Sequence, residues 1–147
     1  MNRTRPSWPK RIAIFLFAVF FAGACFYHFK EAEGFARMLP EFVPLRVPII
    51  YATGILELVL AVLLLVPSLR RKTGVIIAVY LVLVFPANIY AALYHIPAPS
   101  QSYTPPSLLW LRLLFQPLLI WWVLWASSEP AADNPRLEEL PAKKLFM

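Results

Sequence analysis

The chain has 147 residues, 60% of them hydrophobic and only 15% charged, with a mean hydropathy of +0.64. A water-soluble domain needs a wet face on every surface helix, so its charges would be spread along the sequence; here they cluster between four long apolar runs. The net charge of +6 resides in those clusters, which argues against a nucleic-acid-binding surface and for a topology signal.

Residues 1–11 form a basic N-terminus, with Arg3, Arg5, Lys10 and Arg11 ahead of the first run at 12–29. That run and those at 49–66, 74–93 and 108–126 are each close to the roughly 20 residues that cross a bilayer at about 1.5 Å per residue. Backbone groups in lipid must be satisfied within the segment, so each run is predicted to be a helix. A basic stretch before an apolar run also describes a signal peptide, and "AGAC" at 22–25 resembles a lipoprotein cleavage box. The run is long for a signal peptide, however, and the large aliphatic residue three places before the cysteine is missing. A permanent span is therefore expected. Cys25 is the only cysteine, which rules out an internal disulfide or a dithiol relay and leaves a small packing residue.

The segment 30–47 balances Lys30, Arg37 and Arg46 against Glu31, Glu33 and Glu41. Its mixture of Phe35, Met38, Leu39, Phe42 and Val43 with charges predicts a short amphipathic stretch at the membrane surface, interrupted by Pro40, Pro44 and Pro48. "PSLRRKTG" is a compact basic turn that makes the second and third runs antiparallel neighbours. "HIPAPSQSYTPPS" predicts an irregular loop, and 96–107 is uncharged. From 127 to 147 the sequence turns polar and reads as a disordered tail with one helical turn near 137–140. Arg70, Arg71, Lys72 and the basic N-terminus place both termini and this turn in the cytoplasm, with the other two loops outside. The expected fold is all-α, a single antiparallel four-helix transmembrane bundle over 12–126. Trp8, Tyr94, Trp110, Trp121, Trp122 and Trp125 read as interfacial anchors.

Polar groups inside spans are costly and face the bundle interior or a cavity, so they are the functional candidates. Glu57, Asn88, Arg112 and Gln116 lie within the second, third and fourth runs, and His28 closes the first. Counted at about 1.5 Å per residue from the outer ends, their depths run from the surface at His28 to roughly 12 Å at Glu57. Gln116 follows Arg112 by one turn on the same face. One reading is structural: Glu57 and Arg112 form a buried ion pair, completed by Asn88 and Gln116, that fixes helix register. The other is a pocket opening outward that binds a polar head group or passes protons. Pro86 removes its own N–H, frees the carbonyl of Val82 and is expected to kink the third helix beside Asn88. His28 reads as an interfacial histidine, with His95 facing the same vestibule. Two histidines without a carboxylate at ligand spacing make a poor metal site, and no metal is expected.

Several strings resemble one family. "HF" at 28–29, "YATGILELVLAVLLLVP" at 51–67, the basic turn, "VFPANIYAAL" at 84–93 and "LRLLFQPLLIWW" at 111–122 together resemble the DoxX-like small membrane proteins over about residues 20–125. Cys25 stands where the family often has a glycine, and a glycine occurs instead at Gly23. The resemblance implies a four-helix protein of the bacterial inner (cytoplasmic) membrane. Some members are linked to quinone-coupled sulfur oxidation and others to oxidative-stress complexes, while distant relatives are assembly factors or cargo receptors. The positions that carry over are His28, Glu57, Asn88, Arg112 and Gln116.

Two functions follow as expectations. The first is an accessory subunit of a quinone-linked membrane redox system. Glu57 would relay a proton, Arg112 would hold Glu57 ionised or bind a quinone oxygen, and Asn88 and Gln116 would donate hydrogen bonds. The second is a non-enzymatic scaffold or assembly factor. A quinone is the one cofactor suggested, and catalysis by this chain alone is not expected, because it has no dinucleotide loop and no dithiol. The expected associates are the bilayer, membrane redox proteins and further copies of the chain, with no nucleic acid.

Overall fold

The computed structural model describes residues 7–128. Most of the basic N-terminus and the tail from 129 onward, including the helical turn expected near 137–140, lie outside the described residues. Among the described residues there are five helices: α1 (Trp8–Lys30), α2 (Ala32–Ala36), α3 (Arg46–Leu65), α4 (Arg70–Leu93) and α5 (Pro106–Ser127). The four long ones are each long and apolar enough to cross a membrane.

The helices begin earlier than the apolar runs suggest, for local reasons. Pro9 lies in the first turn of α1 and Pro106 opens α5, positions where a missing N–H costs nothing. Pro48 sits third in α3, among the four N–H groups that have no intrahelical partner in any case. The basic turn is not loop throughout, since Arg70, Arg71 and Lys72 form the first turn of α4. Arg70 reaches back to the carbonyls of Leu64 (3.3 Å) and Leu65 (3.4 Å), satisfying the end of α3. At its other end α4 stops on Tyr94, with His95 left-handed at φ 53° and the Ile96 N–H on the Ala91 carbonyl at 2.9 Å. This is a Schellman closure built on a histidine instead of the usual glycine. His95 is exposed there and does not share a vestibule with His28.

Neighbouring helices run antiparallel. The start of α1 meets the end of α5, where Lys10 Nζ donates to the Ser128 carbonyl (3.1 Å) and hydroxyl (2.6 Å). Gly74, early in α4, abuts Ser127 at the end of α5. The closest partnerships are α1 with α3 and α4 with α5; α3 and α4, though joined by the short turn, touch less.

Buried residues of α1 fall at Ile14, Phe17, Ala18, Phe21, Cys25 and His28, the three- and four-residue spacing of one helical face. One layer draws a side chain with no exposure from every long helix, namely Phe17, Leu64, Ile77 and Val123. Phe17 also meets Trp122 edge to face at 5.4 Å, so this tryptophan packs inward instead of anchoring at an interface. The opposite faces carry Phe15, Val19, Ile55, Val79 and Leu114, all exposed. A soluble monomer does not tolerate an apolar girdle of this kind, and lipid solvates it. The fold is that of a multi-pass membrane helix bundle.

Candidate functional site

The half of the bundle nearest α2 is hollow. A cavity of about 600 Å³ lies among all five helices, and its wall includes His28, Glu57, Asn88, Arg112, Gln116 and Pro86. All the polar residues singled out from their depth thus share one space, but in two groups with different chemistry.

The first group is acidic. Glu57 is buried at 6% exposure. Its Oε1 accepts the Tyr80 hydroxyl at 2.8 Å, and its Oε2 lies 2.7 Å from His28 Nδ1. Nδ1 also lies 3.0 Å from the carbonyl of Ala24, one turn earlier on α1. Both neighbours of Nδ1 are acceptors, so this nitrogen carries the proton. The hydrogen aligns on Ala24, so Oε2 accepts no hydrogen bond; the contact to Glu57 is electrostatic more than directional. His28 is a buried residue, not a solvated interfacial one, and the ring of Phe35 stacks on it at 4.3 Å.

Gly54 makes this contact possible. A Cβ there would lie 2.9 Å from His28 Cβ, 3.3 Å from Phe29 Cε2 and 3.6 Å from the Cys25 carbonyl. The close approach of α1 and α3 therefore resides in α3, one turn before Glu57, while Gly23 faces open space. Gly54→Ala is expected to cost about 1–3 kcal/mol through overpacking. The readout is a lowered thermal midpoint of the purified protein in detergent.

The second group is a chain of amides ending on a cation. Gln116 Nε2 donates to the Leu81 carbonyl at 2.6 Å. Asn88 Nδ2 donates to Gln116 Oε1 at 2.6 Å, and Arg112 Nη2 donates to Asn88 Oδ1 at 2.7 Å. The directions are forced, because a carbonyl only accepts and a guanidinium only donates. Pro86 does not by itself explain the starting point. α4 continues through it, but the missing N–H disturbs the ladder one turn back. The carbonyl taken up by a side chain is that of Leu81, one residue before the Val82 expected from the proline alone.

Arg112 therefore does not pair with Glu57. Each carboxylate or cation found its partner on a different helix from the one anticipated. Tyr80 was missed altogether. Its signal was a hydroxyl in the middle of an apolar run, which is a polar group in the same sense as Asn88. The segment after α1 closes the cavity with Phe35, Met38, Leu39, Pro40 and Val43, and Met38 Sδ lies 3.5 Å from Arg112 Nη2. Gly34 packs on Pro99, so α2 rests on the loop between α4 and α5. Among the described residues no three His, Cys, Asp or Glu side chains converge to hold a metal.

Residues 17–127 match the model of a family described as a domain of unknown function, DUF8561. The chain belongs to that family. The matched stretch of this DUF8561 domain contains both polar groups and the whole hollow half. No curated protein and no solved structure matches the chain.

Proposed function

We propose that this DUF8561 protein holds a small lipid-soluble molecule by its polar head group, as an accessory subunit of a quinone-linked redox system in the bacterial inner membrane. The observation that carries the reading is the cavity, about 600 Å³ and so in the range of sites for drug-sized ligands. It also has the character of such sites: apolar walls with a few convergent polar groups. The positive-inside pattern supports cytoplasmic termini and a cavity in the outer half of the bilayer. The DoxX-like resemblance supports the quinone linkage. In this role the Tyr80–Glu57–His28 group accepts or relays a proton, and Arg112, held by Asn88 and Gln116, binds a head-group oxygen. Electrons are carried by the bound molecule or a partner.

Native mass spectrometry of the protein extracted in mild detergent tests this. A retained small molecule, lost in Glu57→Gln at unchanged protein level, is the expected result. A bare chain, or one holding only a partner protein, would transfer the function to the second reading, a scaffold or assembly factor. One observation favours that reading: Gln116 and Asn88 satisfy each other and a backbone carbonyl without any ligand.

A further inference from the structure

The two polar groups of the cavity differ in how their charge is balanced. Glu57 has the His28 imidazole at 2.7 Å and accepts the Tyr80 hydroxyl at 2.8 Å. Among the described residues Arg112 faces nothing of opposite sign. Its contacts are Asn88 Oδ1 and Met38 Sδ, both neutral and both made by Nη2. Among the described residues no carboxylate lies within ion-pairing distance of it. A guanidinium carries five N–H donors and keeps its charge at any physiological pH, so Nε and Nη1 present donors without acceptors beside the cavity. The amide chain fixes the position of this cation and brings no charge to match it. An uncompensated charge withdrawn from water is strongly unfavourable unless an anion joins it.

The mouth of the cavity says where that anion comes from. Leu83, 72% exposed, and Pro86, also exposed, line the cavity from one face of α4. Ile49, 36% exposed, lines it from α3. Phe20 of α1 and Phe115 of α5, 41% and 42% exposed, line it as well. The rim is hydrocarbon, and the exposed surface around it is apolar. An inorganic anion would enter past a rim that cannot solvate it and leave the apolar walls empty.

We propose that the cavity takes an amphipathic monoanion from the bilayer, its acidic head on the free donors of Arg112 and its apolar body along Phe20, Phe115 and Leu119. This rests on the reading of the cavity as a ligand site and sharpens the ligand class from any oxygen-bearing head to a negatively charged one. A free fatty acid and an anionic phospholipid share this chemistry.

The test is equilibrium binding to the full chain in neutral detergent, followed by tryptophan fluorescence. The probes are palmitate, 1-hexadecanol, phosphatidylglycerol and the neutral quinone decylubiquinone. Palmitate or phosphatidylglycerol is expected to bind at least tenfold more tightly than hexadecanol, and the tighter of the two identifies the source. Arg112→Gln is expected to abolish that preference, and Arg112→Lys to keep part of it. If Arg112→Gln does not fold, the wild-type ratio and Arg112→Lys still decide. Equal binding of palmitate and hexadecanol, or tightest binding of decylubiquinone with no effect of Arg112→Lys, overturns the charge assignment and leaves the ligand site standing. Binding of none of the four overturns both.

Discussion

His28→Leu is expected to destabilise the folded chain by about 1–3 kcal/mol, the range for leaving a buried polar group without its partner. The side chain is replaced by one of similar bulk, so the loss is not a packing loss. It arises because Glu57 Oε2 has the imidazole as its sole polar neighbour, at 2.7 Å and without a hydrogen bond, while Oε1 keeps the Tyr80 hydroxyl. A carboxylate stranded in this way must stay charged without a partner or take up a proton, and either state costs stability relative to the pair. The decisive comparison is the double variant His28→Leu/Glu57→Leu, which removes both ends and replaces them with apolar groups. It is expected to recover most of the loss, giving a coupling energy within the roughly 0.5–3 kcal/mol found for contacting residues. Denaturant unfolding in detergent micelles measures all four proteins. Additive losses, or a single variant as stable as the parent, would remove the pair from any account of the fold.

Gly74→Ala is the second large effect, at the far end of the bundle from the cavity. A Cβ at Gly74 would collide with both side-chain atoms of Ser127, and it would meet the Val123 carbonyl at an ordinary 3.5 Å. Thr73 and Ile77 beside it are buried, so α4 cannot yield without disturbing the layer of Phe17, Leu64, Ile77 and Val123. Overpacking of this kind costs about 1–3 kcal/mol. The obstructing atoms belong to one side chain, which makes the explanation separable from a change in helix propensity. Ser127→Gly clears the space, and Gly74→Ala/Ser127→Gly is expected to unfold at a higher temperature than Gly74→Ala alone. A helix-propensity effect predicts the reverse, since alanine favours a helix and the added glycine weakens one.

The four long helices were legible because length and uniform apolarity mark a segment that spans a bilayer, whatever its neighbours do. The polar residues of the cavity were legible for the same reason: a Glu, an Arg or an Asn in such a run has to face inward. Which of them meet was not legible. Depth along a helix follows from counting, but partnership depends on the rotation of each helix about its axis and on which pair approaches most closely. Gly54 brings α1 against α3 and so gives Glu57 to His28; nothing in the order of the residues distinguishes that from Glu57 facing Arg112. Tyr80 escaped notice because a tyrosine reads as hydrophobic by composition while its hydroxyl behaves as a donor. The starts of α1, α3 and α5 moved upstream because prolines that break a helix interior are harmless in a first turn.

The preference of α1 for α3 and of α4 for α5 divides the molecule at the turn 66–69 into two halves that are each continuous in sequence. The polar bonds respect the same division. His28 and Glu57 belong to the first half, and the chain from Leu81 through Gln116 and Asn88 to Arg112 belongs to the second. Among the cavity's side-chain contacts described above, the Tyr80 hydroxyl on Glu57 and the Met38 sulfur on Arg112 cross between them. The first hairpin can therefore bring His28 against Glu57 before the second leaves the ribosome, and Glu57 gains its hydrogen bond when Tyr80 arrives. The hollow space between the two hairpins comes into being only when they dock.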